Sequence, residues 1–144
     1  EVNGWGTIEA SSRPLGACAA TVVLIDEQRA QAWILHAGDT RAALIRDGTG
    51  QLLTALDQGP DGELVRYFGQ AGLQLQATAV RLEPGDRLLL VSDGVTKSLT
   101  MSEAVTVVEQ HATRAASLRA LGQACLRVDS GDDITALLMD IDDD

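Results

Sequence analysis

Residues 84–94 read Pro84-Gly85-Asp86-Arg87-Leu88-Leu89-Leu90-Val91-Ser92-Asp93-Gly94, and this stretch decides the fold. A Pro-Gly turn opens it, an unbroken aliphatic run follows, and a Ser-Asp-Gly bend closes it. The pattern predicts a buried strand from Arg87 to Val91, with Asp93 as a carboxylate at its mouth. A second segment of the same kind follows, where Asp132-Asp133 leads into Ile134-Thr135-Ala136-Leu137-Leu138-Met139. Two strands with an acidic group at one end suggest carboxylates converging on a cation.

Working outward, Thr100 followed by Glu103 fits a capping box at a helix start. Met101, Ala104, Val105, Val108 and Ala112 mark one face of that helix. A second helix is expected from about Arg114 to Arg127, with Leu118, Leu121, Gly122 and Cys125 inward and Asp129-Ser130-Gly131 as its stop. On the N-terminal side, Ala19–Ile25 and Ala30–Ala37 read as antiparallel strands joined at Asp26-Glu27-Gln28. Gly38-Asp39-Thr40 interrupts, Arg41–Arg46 is a third strand ending at Asp47-Gly48, and Gln51–Thr54 is a short return. Gln58–Gly72 reads as loop, and Leu75–Leu82 pairs with Arg87–Val91 as a hairpin across Pro84-Gly85. Strands with helices packed on them make an α+β domain.

The 144 residues, 45% of them hydrophobic, suffice for one core-bearing domain. Aromatics are confined to Trp5, Trp33, Tyr67 and Phe68, so the core is aliphatic. A net charge of −10 argues against sequence-independent binding to nucleic acid or an anionic membrane. A phosphorylated substrate stays open, because a bound divalent cation reverses the local sign. Cys18 and Cys125 suggest neither a disulfide framework nor a zinc site, and both read as small buried hydrophobes. No apolar stretch reaches membrane-spanning length and no signal peptide is visible, so the expected compartment is the cytoplasm. The chain starts at Glu1 and has only Met101 and Met139, so an upstream segment is expected.

Four segments, in order, resemble the metal-dependent protein phosphatases of the PPM (type 2C) family, in particular the compact bacterial kind. Gly16-Ala17-Cys18-Ala19-Ala20 resembles the family's Gly-Thr-Thr strand, and His36-Ala37-Gly38-Asp39-Thr40-Arg41 its Gly-Asp-Ser-Arg motif. Pro84-Gly85-Asp86 through Ser92-Asp93-Gly94 resembles the strand ending in Ser-Asp-Gly. Gly131-Asp132-Asp133-Ile134-Thr135 resembles the closing Asp-Asn-Ile-Thr strand, with Asp133 where Asn is usual. Tyr67-Phe68-Gly69 resembles a Leu-Gly step between the middle motifs. The similarity covers residues 16–141, the C-terminal two-thirds of such a domain, leaving 1–15 unassigned and 142–144 as an acidic tail.

The resemblance implies a partial four-layer α-β-β-α sandwich of antiparallel sheets flanked by helices. It implies a serine/threonine phosphoprotein phosphatase using Mn²⁺ or Mg²⁺ in a binuclear centre, with a phosphorylated protein as substrate. Asp93 and Asp132 become metal ligands, and the nucleophile a metal-activated water rather than a side chain. Gly38, Asp39, Arg41, Ser92, Gly94 and Asp133 become supporting residues, with Arg41 bracing the turn. Hard cations of this kind prefer oxygen donors, and two ions about 3.5–4 Å apart stabilise charge on a phosphoryl group. The residues alone also allow Asp93-Gly94 to be an ordinary turn or helix cap, and Asp132 a turn residue after Gly131. His36 reads as a structural ring beside the turn and His111 as a surface residue.

The family's remaining ligands, from an N-terminal acidic strand and an Asp-Gly-x-Gly-Gly motif, do not occur in this sequence, nor does its N-terminal phosphate-binding arginine. Two carboxylates in place of four imply weak metal binding and little turnover by this chain alone. The missing N-terminal half would then be a partner. The alternatives are a non-catalytic phosphatase-like module that binds a phosphoprotein or regulatory partner, and a structural domain whose aspartates are only turns.

Overall fold

The computed structural model describes residues 16–75, 77–128 and 131–142. The unassigned segment 1–15, most of the stop at Asp129-Ser130-Gly131 and the end of the acidic tail lie outside them. The order is β1 (Ala20–Asp26), β2 (Gln31–Ala37), β3 (Arg41–Arg46), β4 (Thr49–Leu52), β5 (Ala77–Arg81), β6 (Arg87–Val91), α1 (Asp93–Ser98), α2 (Met101–Glu109), α3 (Arg114–Leu126) and β7 (Ala136–Asp140). The strands form two antiparallel sheets, ordered β1-β2-β5 and β4-β3-β6-β7. The expected α+β class is what the chain adopts.

The apolar run 88–91 is unbroken because β6 lies in the middle layer, where both faces pack on apolar neighbours. Leu88 joins Ala32, Ile34, Ala42 and Leu44 between the sheets. Leu89 and Val91 point the other way, into Val95, Ala104, Val105, Val108, Leu121 and Cys125 of the helices. Strand β3 alternates in the same manner, with Ala42 and Leu44 toward one sheet and Ala43 and Ile45 toward the helices. Strand β6 is therefore the spine of both cores.

Strand β5 does not pair with β6. It pairs with β2, with Trp33 opposite Ala79, while β6 pairs with β3, with Ala43 opposite Leu89. The Pro84-Gly85 turn is a crossing between sheets, and across it Val80 of β5 and Leu88 of β6 meet in the same inter-sheet core. The return strand begins at Thr49 and ends at Leu52, placing a tight turn at Asp47 and Gly48, both with positive φ.

The capping box on α2 forms as expected: Thr100 Oγ1 accepts from Glu103 N–H, and Glu103 Oε2 accepts from Thr100 N–H. Ala104, Val105 and Val108 are buried, whereas Ala112 lies beyond the helix end and is exposed. On α3 the buried residues are Ser117, Leu121 and Cys125. Cys18 is exposed, contrary to its apolar surroundings in sequence. Among the described residues the helices cover only one sheet. The outer face of β1-β2-β5 carries exposed Val22, Leu24 and Trp33, and the second helical layer of a four-layer sandwich is not among the described residues. No described helix is long and apolar enough to cross a membrane.

Candidate functional site

The Ser-Asp-Gly bend is a strand-to-helix junction. Ser92 stands at the N-cap position and Asp93 is the first residue of α1, so the carboxylate opens a helix rather than capping a simple turn. Ser92 stitches this junction to the segment before β7. Its N–H donates to Thr135 O at 2.9 Å, its hydroxyl donates to Asp133 O at 3.2 Å and accepts from Thr135 N–H at 3.0 Å. Gly94 allows that approach, since a Cβ there would sit 2.2 Å from Asp133 O. The triplet thus divides its roles: Ser92 joins the two segments, Gly94 makes room, and Asp93 is left facing out.

What this brings together is Asp93 and Asp132, with Lys97 between them. Lys97 Nζ lies 2.6 Å from Asp93 Oδ2 and 2.5 Å from Asp132 Oδ2. Asp132 is held from its other oxygen, Oδ1, which accepts from Asp133 N–H at 2.8 Å. The Asp133 side chain makes no such contact among the described residues, and the residue is exposed. Hydrogen bonding to Lys97 holds the Asp132 carboxyl below its ordinary value, and the bonds to Asp132 and then Asp93 push the Lys97 ammonium up. The three side chains are 31–48% exposed, so solvent reaches the cluster.

The Gly-Asp turn comes to the same end of the molecule. A cavity of about 320 Å³ is lined by Asp39, Arg41, Gln58, Asp93, Thr96 and Lys97, among others. Gly38 fixes the turn: its φ is +115°, and a Cβ would lie 2.4 Å from that of Ala19. Behind it stands a buried carboxylate with no signal in the sequence. Asp57 Oδ2 accepts from Gly38 N–H at 3.2 Å, Oδ1 accepts from Arg66 at 3.2 Å, and the Asp57 N–H donates to Gly38 O at 3.1 Å.

His36 packs beside this turn, as expected. Its Nδ1 lies 2.9 Å from Thr21 Oγ1, which is 2.7 Å from Thr40 Oγ1. Burial lowers the His36 pKa despite the opposing pull of Asp57 3.7 Å away, so the ring is neutral at neutral pH and that contact is not then an ion pair. Arg41 Nη1 has no partner among the described residues, and burial lowers the Arg41 pKa. His111 is half-buried rather than a surface residue, with Nδ1 3.0 Å from Val107 O. Phe68 and Cys18 exchange backbone hydrogen bonds of 2.8 and 3.1 Å, which sets the Tyr67-Phe68-Gly69 step beside the Gly16–Ala20 segment.

A larger cavity, about 670 Å³, lies at the opposite end of β6 around Pro84, Arg87, Glu109 and Asp140. Its arginine is already engaged, since Arg87 donates to Asp140, Val108 O, His111 O and Ser117. The smaller cavity is the one that Asp93 and Lys97 line. At Lys97, two carboxylate oxygens that converge on one cationic atom suit a single hard cation. They do not make a binuclear centre: among the described residues no three His, Cys, Asp or Glu groups converge as metal ligands.

A family profile described as stage II sporulation protein E (SpoIIE) matches residues 7–142. No curated protein matches significantly by sequence. Among solved structures, PppA, described as a key regulatory component of T6SS in Pseudomonas aeruginosa, is 31% identical with a TM-score of 0.73, over 83% of this chain and 56% of that one. The catalytic domain of serine/threonine phosphatase PstP in complex with two manganese ions is 24% identical with a TM-score of 0.78, over 88% and 60%. Stp1, a serine/threonine phosphatase from Staphylococcus aureus, is 21% identical with a TM-score of 0.77, over 87% and 56%. The last two likenesses concern the fold. The chain spans 56–60% of the length of these three structures.

Proposed function

This chain belongs to the SpoIIE family of PPM-type phosphatases, and from that premise we propose that it is the C-terminal part of a metal-dependent serine/threonine phosphoprotein phosphatase. The observation that carries the reading is the convergence of Asp93 and Asp132 on one cationic position, the ammonium of Lys97, which lines the smaller cavity. On this reading the two aspartates are the wall that this chain contributes to a Mn²⁺ or Mg²⁺ pocket. The manganese of the PstP structure supports that choice of metal. Such a cation, when bound, supplies Lewis-acid stabilisation of a phosphoryl group and acidifies a water in contact with it.

The chain's own residues do the positioning. Ser92 and Gly94 lock the segments that carry the aspartates, which limits drift in the separation of the two carboxylates. Asp39, Arg41 and Thr96 line the cavity into which a phosphoryl group would enter. Arg41, with its buried tip unpartnered among the described residues, is the group there suited to an anion. A second reading, a non-catalytic phosphatase-like module binding a phosphoprotein or regulatory partner, is favoured by the ammonium already seated between the carboxylates.

Mn²⁺-dependent hydrolysis of p-nitrophenyl phosphate and of a phosphoserine peptide separates the two. The assay uses a polypeptide that joins this chain to the N-terminal part that such phosphatases carry. The phosphatase reading predicts turnover that falls at least about 100-fold in Asp93→Asn and in Asp132→Asn. A folded protein with no Mn²⁺-dependent turnover would establish the module instead.

A further inference from the structure

We infer that Lys97 is the resident cation of this site, seated between Asp93 and Asp132 so that a divalent ion enters only when the ammonium swings out. The inference rests on the metal-facing role proposed above for the two aspartates. It makes Lys97 the residue that sets how readily the site takes a metal.

Asp93 and Lys97 stand four residues apart on α1, which places them on one helix face. Such a pair needs no third member, yet Asp132 arrives from 35 residues further along and offers a second carboxylate to the same nitrogen. Nζ has three N–H donors, and two of them are used here. A divalent ion seeking the same two oxygens would stand within a few ångströms of the ammonium, and like charges at that range repel. The two cations therefore exclude each other.

Displacing the lysine disturbs little packing. Its side chain is 48% exposed and ends a flexible four-carbon stem. The cavity it lines also contains Asp39, so the displaced ammonium keeps a carboxylate nearby. A purely structural role explains the arrangement less well, because ion pairs this exposed contribute little to stability.

Isothermal titration of Mn²⁺ into the wild-type chain and into Lys97→Met, Lys97→Arg and Lys97→Met/Asp93→Asn tests this, with circular dichroism confirming that each is folded. Removing the ammonium should tighten Mn²⁺ binding by about tenfold or more. Lys97→Arg, which keeps the charge, should stay near wild type, and the added Asp93→Asn should abolish the gain. Equal affinity in wild type and Lys97→Met, with both losing it on Asp93→Asn, would overturn the role of Lys97 while leaving the aspartates as ligands. A gain that survives Asp93→Asn would overturn both. Absence of binding in a folded Lys97→Met chain would overturn the inference as well.

Discussion

The two ends of strand β6 carry the same kinds of side chain and use them in opposite ways. At its start, Asp86 is 1% exposed and accepts from Arg46 Nε at 2.7 Å, Arg46 Nη2 at 2.6 Å and Glu83 N–H at 2.7 Å. Burial pushes the Asp86 carboxyl up, but the bonds from Arg46 and Glu83 outweigh it and hold the pKa below the ordinary carboxylate value. At its end, Asp93 and Asp132 are about a third exposed and share one solvent-facing lysine. A carboxylate saturated by a guanidinium and a backbone N–H has no oxygen to offer a ligand. One balanced against a single exposed ammonium does. Saturation, more than the acidic residue itself, separates a structural aspartate from one available for chemistry.

That contrast breaks if the two ends respond alike to losing their carboxylates. Asp86→Ala should cost about 3 kcal/mol, because it leaves donors at a buried position without an acceptor. The urea midpoint reads this loss. Asp93→Asn should move the melting temperature by less than about 3 °C, since an exposed pair contributes little. Comparable destabilisation by both would erase the distinction between the ends.

A smaller effect sharpens the comparison through pH. Burial sets the folded pKa of His36 below 6.5, so the unfolded chain binds more protons in the interval between the two values. Stability from this group is complete above about pH 6.5 and is lost as the pH falls through the folded value. The Asp86 contribution persists until the pH falls below the usual carboxylate range, about 4. Melting temperatures between pH 7 and pH 5 should therefore decline in wild type and decline less in His36→Asn. Parallel declines would show that His36 is not the group responsible.

Much of the fold is legible in the sequence because the physics is local. The run 88–91, the Thr100–Glu103 box and the turn at Asp47-Gly48 each satisfy a short-range requirement, and each lies where the sequence places it. The pairing of β5 is not legible, because adjacency across Pro84-Gly85 favours a hairpin while the choice of sheet depends on distant β2. Asp57 and Lys97 escape a sequence reading for the same reason. Asp57 sits in a glycine-rich loop without periodicity, and the significance of Lys97 emerges only when Asp132 folds back onto it. Asp93 and Asp132 are legible as acids flanking strands, although β7 itself begins only at Ala136. That Ser92 ties their two segments together requires the fold.

The central claim is that the Asp93–Asp132 end of β6, and not the Asp86–Arg87 end, is where this chain meets a metal. Anomalous diffraction from Mn²⁺-soaked crystals of the Lys97→Met chain tests it most directly. The account predicts an anomalous peak about 2 Å from carboxylate oxygens of both Asp93 and Asp132. A peak instead among Glu109, Asp140 and Asp142 in the larger cavity, or none between the two aspartates, would contradict it.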